Sequence, residues 1–346
     1  MTTRRVTLKT LADQLGLSTA SVSIVLNRAP AAKAIPAETQ RRILDAARAV
    51  DYRPNSLARS LRHRRSFTIG VLVPEISEGY AVQVMRGIED RLLQEGYLYF
   101  VASHRHQPDL MHEYSTLLLD RAVEGFIAVD TPWEKTWPVP VVAVSGHTHA
   151  RGVTRICLNH ERAAMLALQH LKQLGHEQIA VIKGQAFSSD TAARWRAIRD
   201  AARTLGLPID RRLVVQLEGD RPLPELGYEV THRLLAQGAR FSALFAFNDL
   251  SAFGAISALR DAGLHVPTDV SVVGFDDVFS AASHNPPLTT VRQPLSRMGE
   301  IAAQTLISRI ATSPPPQVRL ISVEPELVVR SSTAACASAE RRSKRA

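Results

Sequence analysis

The stretch TLKTLADQLGLSTASVSIVLN, residues 7–27, holds two short helical periods separated by one glycine. Leu8, Leu11, Ala12 and Leu15 recur at the spacing of a single helix face. Gly16 ends that period, because glycine enters the left-handed conformation of a helix C-terminus without a steric penalty. Ser18 is placed to cap the next helix by accepting from its free amides. In that second helix Val22, Val25 and Leu26 point inward, which leaves Thr19, Ala20, Ser23, Ile24 and Asn27 facing outward. A third helix is predicted from about Pro36, with Ile43, Ala46, Ala47 and Val50 on one side. Two short helices joined by a glycine turn and braced by a third form a helix-turn-helix.

The outward face of the second helix has no lysine or arginine, yet its surroundings are strongly basic. Residues 1–66 hold 13 Lys and Arg against 4 Asp and Glu, whereas residues 67–339 hold 25 against 28. A cationic front on a slightly acidic body is the electrostatic footprint of nucleic-acid binding. Reading and attraction are then divided between residues. Short side chains at the leading end of a helix let the backbone approach base edges in a major groove. Ser18, Ser21, Ser23 and Asn27 are candidates for phosphate contacts, which fix register. The flanking Arg4, Arg5, Lys9, Arg28 and Lys33 supply charge.

Next comes DYRPNSLARSLRHRRS, residues 51–66. Asn55 is a good N-cap for a short helix through Arg62, with Leu57, Ala58 and Leu61 on one face among arginines. An apolar wedge flanked by arginines suits a minor groove, and so short a helix is expected to order only on DNA.

From Phe67 the pattern changes. FTIGVLVP (67–74), YLYFVAS (97–103), GFIAV (125–129), VVAVS (141–145), IAVIKG (179–184), ALFAF (243–247), VSVVGF (270–275) and ELVV (326–329) read as buried strands. Between them, stripes such as Val84, Met85, Ile88, Leu92 and Ala252, Ala255, Ile256, Leu259 read as helices. Strands alternating with helices predict parallel α/β sheets, and their number predicts two doubly wound lobes. Ligands bind such sheets at the carboxyl ends of the strands.

The run VTLKTLADQLGLSTASVSIVLN followed by YRPNSLARSL resembles the LacI/GalR family of bacterial transcription regulators, and the likeness extends to PELVVRSST at 325–333. The resemblance implies a small all-α helix-turn-helix domain (1–52) and a hinge (53–66). It implies a periplasmic-binding-protein-like core (67–331), with one lobe of about 67–155 plus 290–320 and another of 156–288 plus 321–331. It also implies a homodimer on a near-palindromic double-stranded operator, read by Thr19, Ala20 and Ile24, with Leu61 and Ala58 wedging the central minor groove. Ile24 stands where the family often has arginine, so its contact is apolar, to a thymine methyl. The helix around Val84–Leu92 and neighbouring surfaces are expected to join the dimer.

Polar residues at strand ends become candidates for an effector controlling operator affinity. Arg194 and Asp276 stand at family ligand positions, Asn248 closes the strand ALFAF, and Asp249 is expected to cap the next helix, with Asp277 structural. In the first lobe the candidates are Tyr80, Asp130 and His147. There SEGY (77–80) replaces the usual Asn-Pro-aromatic run, SGH (145–147) replaces an acidic-basic pair, and Asn159 stands for a frequent aspartate. Carboxylate, carboxamide and guanidinium around one cleft suit a polyhydroxylated, sugar-like effector.

Other classes are disfavoured. There is no P-loop, no GxSxG and no GxGxxG opening a helix, against an enzyme. The start MTTRRVTLKT has no apolar segment of a secretory signal, against an exported solute-binding protein. No apolar run approaches the ~20 residues of a membrane helix. Cys157 and Cys336 lack metal-ligand spacing, and His147 and His149 have no acidic or cysteine partner, so neither metal nor cofactor is expected. The expected location is the cytoplasm, on the nucleoid. Residues 332–346 are expected to be a disordered basic tail without a leucine heptad.

Overall fold

The computed structural model describes residues 6–27, 29–52, 65–76, 79–133, 136–145, 152–219, 223–312 and 320–336. The chain divides into two compact units, 1–66 and 67–346.

In the first unit, α1 (Leu8–Leu15) starts on Thr7, whose hydroxyl accepts from the amide of Thr10 at 3.1 Å, and stops at Gly16 with φ of 65°. Ser18 caps α2 (Thr19–Leu26) by accepting from the amide of Ser21 at 3.0 Å. A short 3-10 turn, Pro30–Ala34, leads into α3 (Ala37–Ala49). Gln40 fastens that turn by donating through Nε2 to the carbonyls of Ala32 and Ile35, both at 2.8 Å. Leu11, Ala12, Val22, Val25, Ile43 and Ala47 are buried together, one patch from each helix. Burying a leucine-sized side chain contributes about 1.5–3 kcal/mol. Val22, Val25 and Ile43, with Leu11, therefore account for most of what holds so small a unit.

The second unit holds two six-stranded sheets among the described residues. In the first, β1 (Thr68–Val73) and β2 (Leu98–Ser103) pair in parallel, and β3 (Phe126–Val129), β4 (Val141–Val144), β5 (Val153–Leu158) and β11 (Leu320–Val323) extend the sheet in the order β11-β5-β4-β3-β1-β2. The second sheet holds β6 (Ile179–Lys183), β7 (Val214–Gln216), β8 (Ala243–Phe245), β9 (Ser271–Asp276), β10 (Thr289–Arg292) and β12 (Glu326–Val328), ordered β12-β10-β9-β8-β6-β7. Only β12 runs antiparallel to its neighbour in these ladders. Central strands such as TIGVLV and SVVGFD are buried along their whole length, as parallel strands covered on both faces must be.

The helices are α4 (Tyr80–Gln94), α5 (Pro108–Asp120), α6 (His160–Gln173), α7 (Ser189–Leu205), α8 (Pro224–Ala236), α9 (Asp249–Asp261), α10 (Phe279–Ser283) and α11 (Leu295–Ala311). Two crossings are exceptionally close. A methyl at Gly87 of α4 would collide with the carbonyl oxygen of Ser296 in α11, and one at Gly254 of α9 with that of Pro224 in α8.

Three expectations need correction. The lobe boundaries fall later than the sequence suggested: β5 runs to Leu158 and β11 covers 320–323 in the first sheet, while β10 (289–292) belongs to the second. Short strands such as TTVR and LISV carry too little periodicity to be assigned to a sheet without their partners. Val84, Ile88 and Leu92 are fully buried inside the lobe against α11, so this stripe is not itself a dimer face; the exposed side of the same helix carries Val82 and Leu93. Finally, 332–336 is not a free tail. The Ser332 hydroxyl donates to the carbonyl of Val272 at 2.6 Å, and the Cys336 amide donates to that of Leu174 at 2.8 Å. Backbone pairing and small buried side chains hold it despite its polar composition. Among the described residues, no helix is long and apolar enough to cross a membrane.

Candidate functional site

Both sheets of the second unit share one winding order, second-first-third-fourth-fifth. Such a sheet has its topological switch between its first and third strands, where crevices open at the carboxyl ends. The residues that follow β1 and β3 in the first lobe, and β6 and β8 in the second, converge there on one cleft.

From the first lobe, Gly79 takes φ of 104° and admits the chain to α4, which begins with Tyr80. The Tyr80 hydroxyl donates to Oγ of Ser145, just past β4, at 2.5 Å. Asp130 follows β3 with φ of 40°, and its amide donates to the carbonyl of Val144 at 2.8 Å. Burial, reinforced by Asp190, pushes the Asp130 carboxyl well above the usual carboxylate range.

From the second lobe, α7 brings in Asp190 and Arg194, one turn apart and both buried. The Arg194 guanidinium lies 3.6 Å from the Asp190 carboxylate and donates to the carbonyl of Phe247. It also lies over two rings, 3.6 Å from the centroid of Phe275 and 4.4 Å from that of Phe247. Its Nε has no hydrogen-bond partner among the described residues. Asp276 ends β9 with φ of 110°, and its Oδ1 accepts from Nε2 of Gln293 at 2.6 Å. Burial drives the Asp276 carboxyl up to about 7, with Arg194 and Gln293 pulling down and Asp190 pushing up.

Asn248 lines the same cleft and caps α9, with Oδ1 accepting from the amide of Ser251 at 2.9 Å. This corrects the expectation that Asp249 is the cap. Asp249 instead lies fully buried, accepting from the Thr290 hydroxyl at 2.6 Å and the Val278 amide at 2.8 Å. An asparagine in the extended conformation serves the cap, which frees the carboxylate to tie β9 and β10 to the helix. Asp277 pairs with Arg292 at 2.7 Å and Arg330 at 2.6 Å. Asn159 caps α6 by accepting from the amide of Arg162 at 3.0 Å and donates to Glu324 at 3.1 Å.

The cleft has an empty volume of about 800 Å³, its open mouth included. At that mouth His106 of the first lobe and Phe187 of the second meet with ring centroids 4.2 Å apart. The Ser189 hydroxyl donates to the carbonyl of Ser145 at 2.7 Å, a second link between lobes. Tyr80, Asp130, Arg194, Asn248 and Asp276 thus line one cavity, while His147, Ala58 and Leu61 lie outside the described residues. Sequence reasoning passed over Asp190, Gln185, His106, Phe187 and Phe247, which also line it. Asp190 had a signal, being four residues ahead of Arg194 on one helix face. The aromatic residues had none, because a phenylalanine at a strand end reads as core.

In the first unit, Ser18, Thr19, Ala20 and Asn27 are exposed, and Ser21, Ser23 and Ile24 are half-buried. Ser18 Oγ lies 2.9 Å from Ser21 Oγ, and Asn27 Nδ2 donates to the carbonyl of Ser23 at 2.8 Å and to its hydroxyl at 3.1 Å.

Comparison with known proteins agrees with this layout. A family model described as a periplasmic binding protein-like domain matches residues 168–333. The HTH-type transcriptional repressor PurR of Aliivibrio fischeri (strain MJ11) is 32% identical over 335 residues, covering 94% of this chain and 98% of that protein. A lac repressor dimer bound to operator and the anti-inducer ONPF superposes with a TM-score of 0.83 at 26% identity, over 96% of this chain and 100% of that one. A LacI family transcriptional regulator from Enterococcus faecium with bound ribose gives a TM-score of 0.68 at 28% identity, over 78% of this chain and 99% of that one.

Proposed function

The chain belongs to the LacI/GalR family of bacterial transcription regulators, and from that premise we propose a homodimeric repressor whose grip on a near-palindromic operator is set by a sugar-like effector in the cleft. It is a regulator and not an enzyme. The observation that carries the reading is the pairing of two constructions in one chain. One is a serine-capped helix showing only short side chains at its leading end, in a basic unit. The other is a cleft where a stacked arginine, carboxyls and a tyrosine converge at two switch points.

Thr19, Ala20 and Ile24 are assigned to base edges, and Ser18, Ser21, Ser23 and Asn27 to phosphates. Ala58 and Leu61 are assigned to the minor groove. In the cleft, Tyr80 supplies a ring face, while Asp130, Arg194, Asn248 and Asp276 supply acceptors and donors; His147 is assigned to the effector with them. A neighbour crystallised with ribose supports a sugar as the occupant. Control follows from linkage: an effector preferring one arrangement of the lobes shifts the population toward it, and operator affinity changes with it.

The test is a fluorescence-anisotropy titration of the full chain on operator DNA selected from genomic fragments, with and without sugars. One palindromic site should be retained, with log affinity falling steeply against log salt. Binding indifferent to both sequence and sugar would sink the reading.

A further inference from the structure

Resting on the DNA-binding reading above, we propose that α2 tells bases apart by the 5-methyl group of pyrimidines rather than by hydrogen bonds. A 5-methylcytosine then takes the place of a thymine in the half-site, and the unit senses cytosine methylation there.

α2 is TASVSIVL, and none of its side chains carries an amide, a guanidinium or a carboxylate. Those are the groups that pair bidentately with guanine or adenine, or accept from cytosine. The hydroxyls that remain discriminate little, because serine and threonine bond to any base. Several are also committed locally. Ser18 Oγ accepts from the Ser21 amide and lies 2.9 Å from Ser21 Oγ. Asn27, the C-cap of α2, donates through Nδ2 to the carbonyl and the hydroxyl of Ser23. Bidentate pairing with adenine needs that same Nδ2.

What the outer face presents is carbon. Ala20 and Ile24 stand one turn apart on one side of the helix, with the methyl of Thr19 next to Ala20 in the chain. Val22 and Val25 are buried in the core of the unit and Leu26 packs against it, whereas Ile24 belongs to neither group. A half-buried isoleucine outside the core, in a unit with 13 basic and 4 acidic residues, is an apolar contact carried toward a polyanion. The 5-methyl is the apolar group that a base pair shows in the major groove. Contact there removes carbon surface of both partners from water. Thymine carries that methyl and cytosine acquires it by methylation. Uracil lacks it while keeping every hydrogen-bonding group of thymine.

The experiment selects an operator from a randomised pool with the full chain, then replaces each thymine of one half-site in turn by deoxyuridine, read by fluorescence anisotropy. At one or two positions binding should weaken about fourfold, the contribution of one buried methyl. Deoxycytidine placed there should bind weakly, and 5-methyldeoxycytidine about fourfold more tightly than deoxycytidine. In Ile24→Ala the thymine-to-uracil ratio at one of these positions should fall toward one; a ratio taken within one variant is insensitive to a change in folding. Deoxyuridine tolerated at every position, methylcytosine binding no better than cytosine, or an undiminished ratio in Ile24→Ala overturns the proposal and leaves the operator reading standing. A pool that yields no preferred sequence overturns both.

Discussion

Arg194 is held by contacts that no other side chain would reproduce. Its guanidinium spans a carboxylate, a main-chain carbonyl and two aromatic faces, and the alternative lysine is a point charge without a plane. Arg194→Lys should therefore weaken effector binding by about 2 kcal/mol or more, roughly thirtyfold, with a folded protein by circular dichroism. The carboxyls give a second expectation. Asp276 has a folded-state pKa of about 7, above the ordinary 3.8. Its folded form holds a proton that the unfolded form has lost, so its contribution to stability is complete below about pH 4 and is lost as pH rises through 7. The ligand-free protein should lose stability between about pH 4 and 7, each such group contributing at most about 1.4 kcal/mol per pH unit. Asp276→Asn should flatten the thermal-melting profile over that range, and an unchanged profile would contradict the assignment. Asp130, Asn248 and Asp276 were legible as polar residues closing apolar strands, and Arg194 by its place in a family run on a helix. Asp190 was legible only as a helix pair, and Phe187 not at all, because contact across the cleft has no sequence period.

At the scale of elements, the stripes that build helices and the central strands were open to reading. Their burial pattern is periodic or continuous over five or more residues. Strands β5, β7, β10 and β11 were not, since three- to six-residue segments such as VVQ and LISV become strands by pairing with neighbours distant in sequence. The close helix crossings were equally silent. Nothing in the sequence around Gly87 and Gly254 marks a contact, yet each sits where two backbones meet. Gly87→Ala and Gly254→Ala should each cost about 1–3 kcal/mol in chemical denaturation, from overpacking against backbone that cannot rotate away. An unchanged stability, or the gain of about 0.5–1 kcal/mol that helix propensity alone gives Gly→Ala, would contradict the crossing geometry.

Across the whole molecule, charge and chemistry are segregated along the chain. The first 66 residues carry the excess of positive charge, and the remainder carries the cleft. The proposed dimer needs an apolar surface, and the inward stripe of α4 does not provide it. Leu98 and Phe100 on edge strand β2, with Leu93 beside them in sequence, are exposed instead. An exposed apolar edge is a pairing surface. Leu98→Glu with Phe100→Glu should shift the protein to monomer in sedimentation velocity and weaken operator binding, because each half-site then binds alone; an intact dimer would exclude this surface.

Coupling of operator and effector within one chain is open to direct measurement. The direct measurement is a thermodynamic square: operator affinity with the cleft empty and saturated by the tightest-binding sugar, and sugar affinity with operator absent and saturating. Linkage requires the same factor along both pairs of edges, about 5- to 150-fold. A factor of one on both would show that the cleft and the DNA-binding unit do not communicate, and would contradict the account.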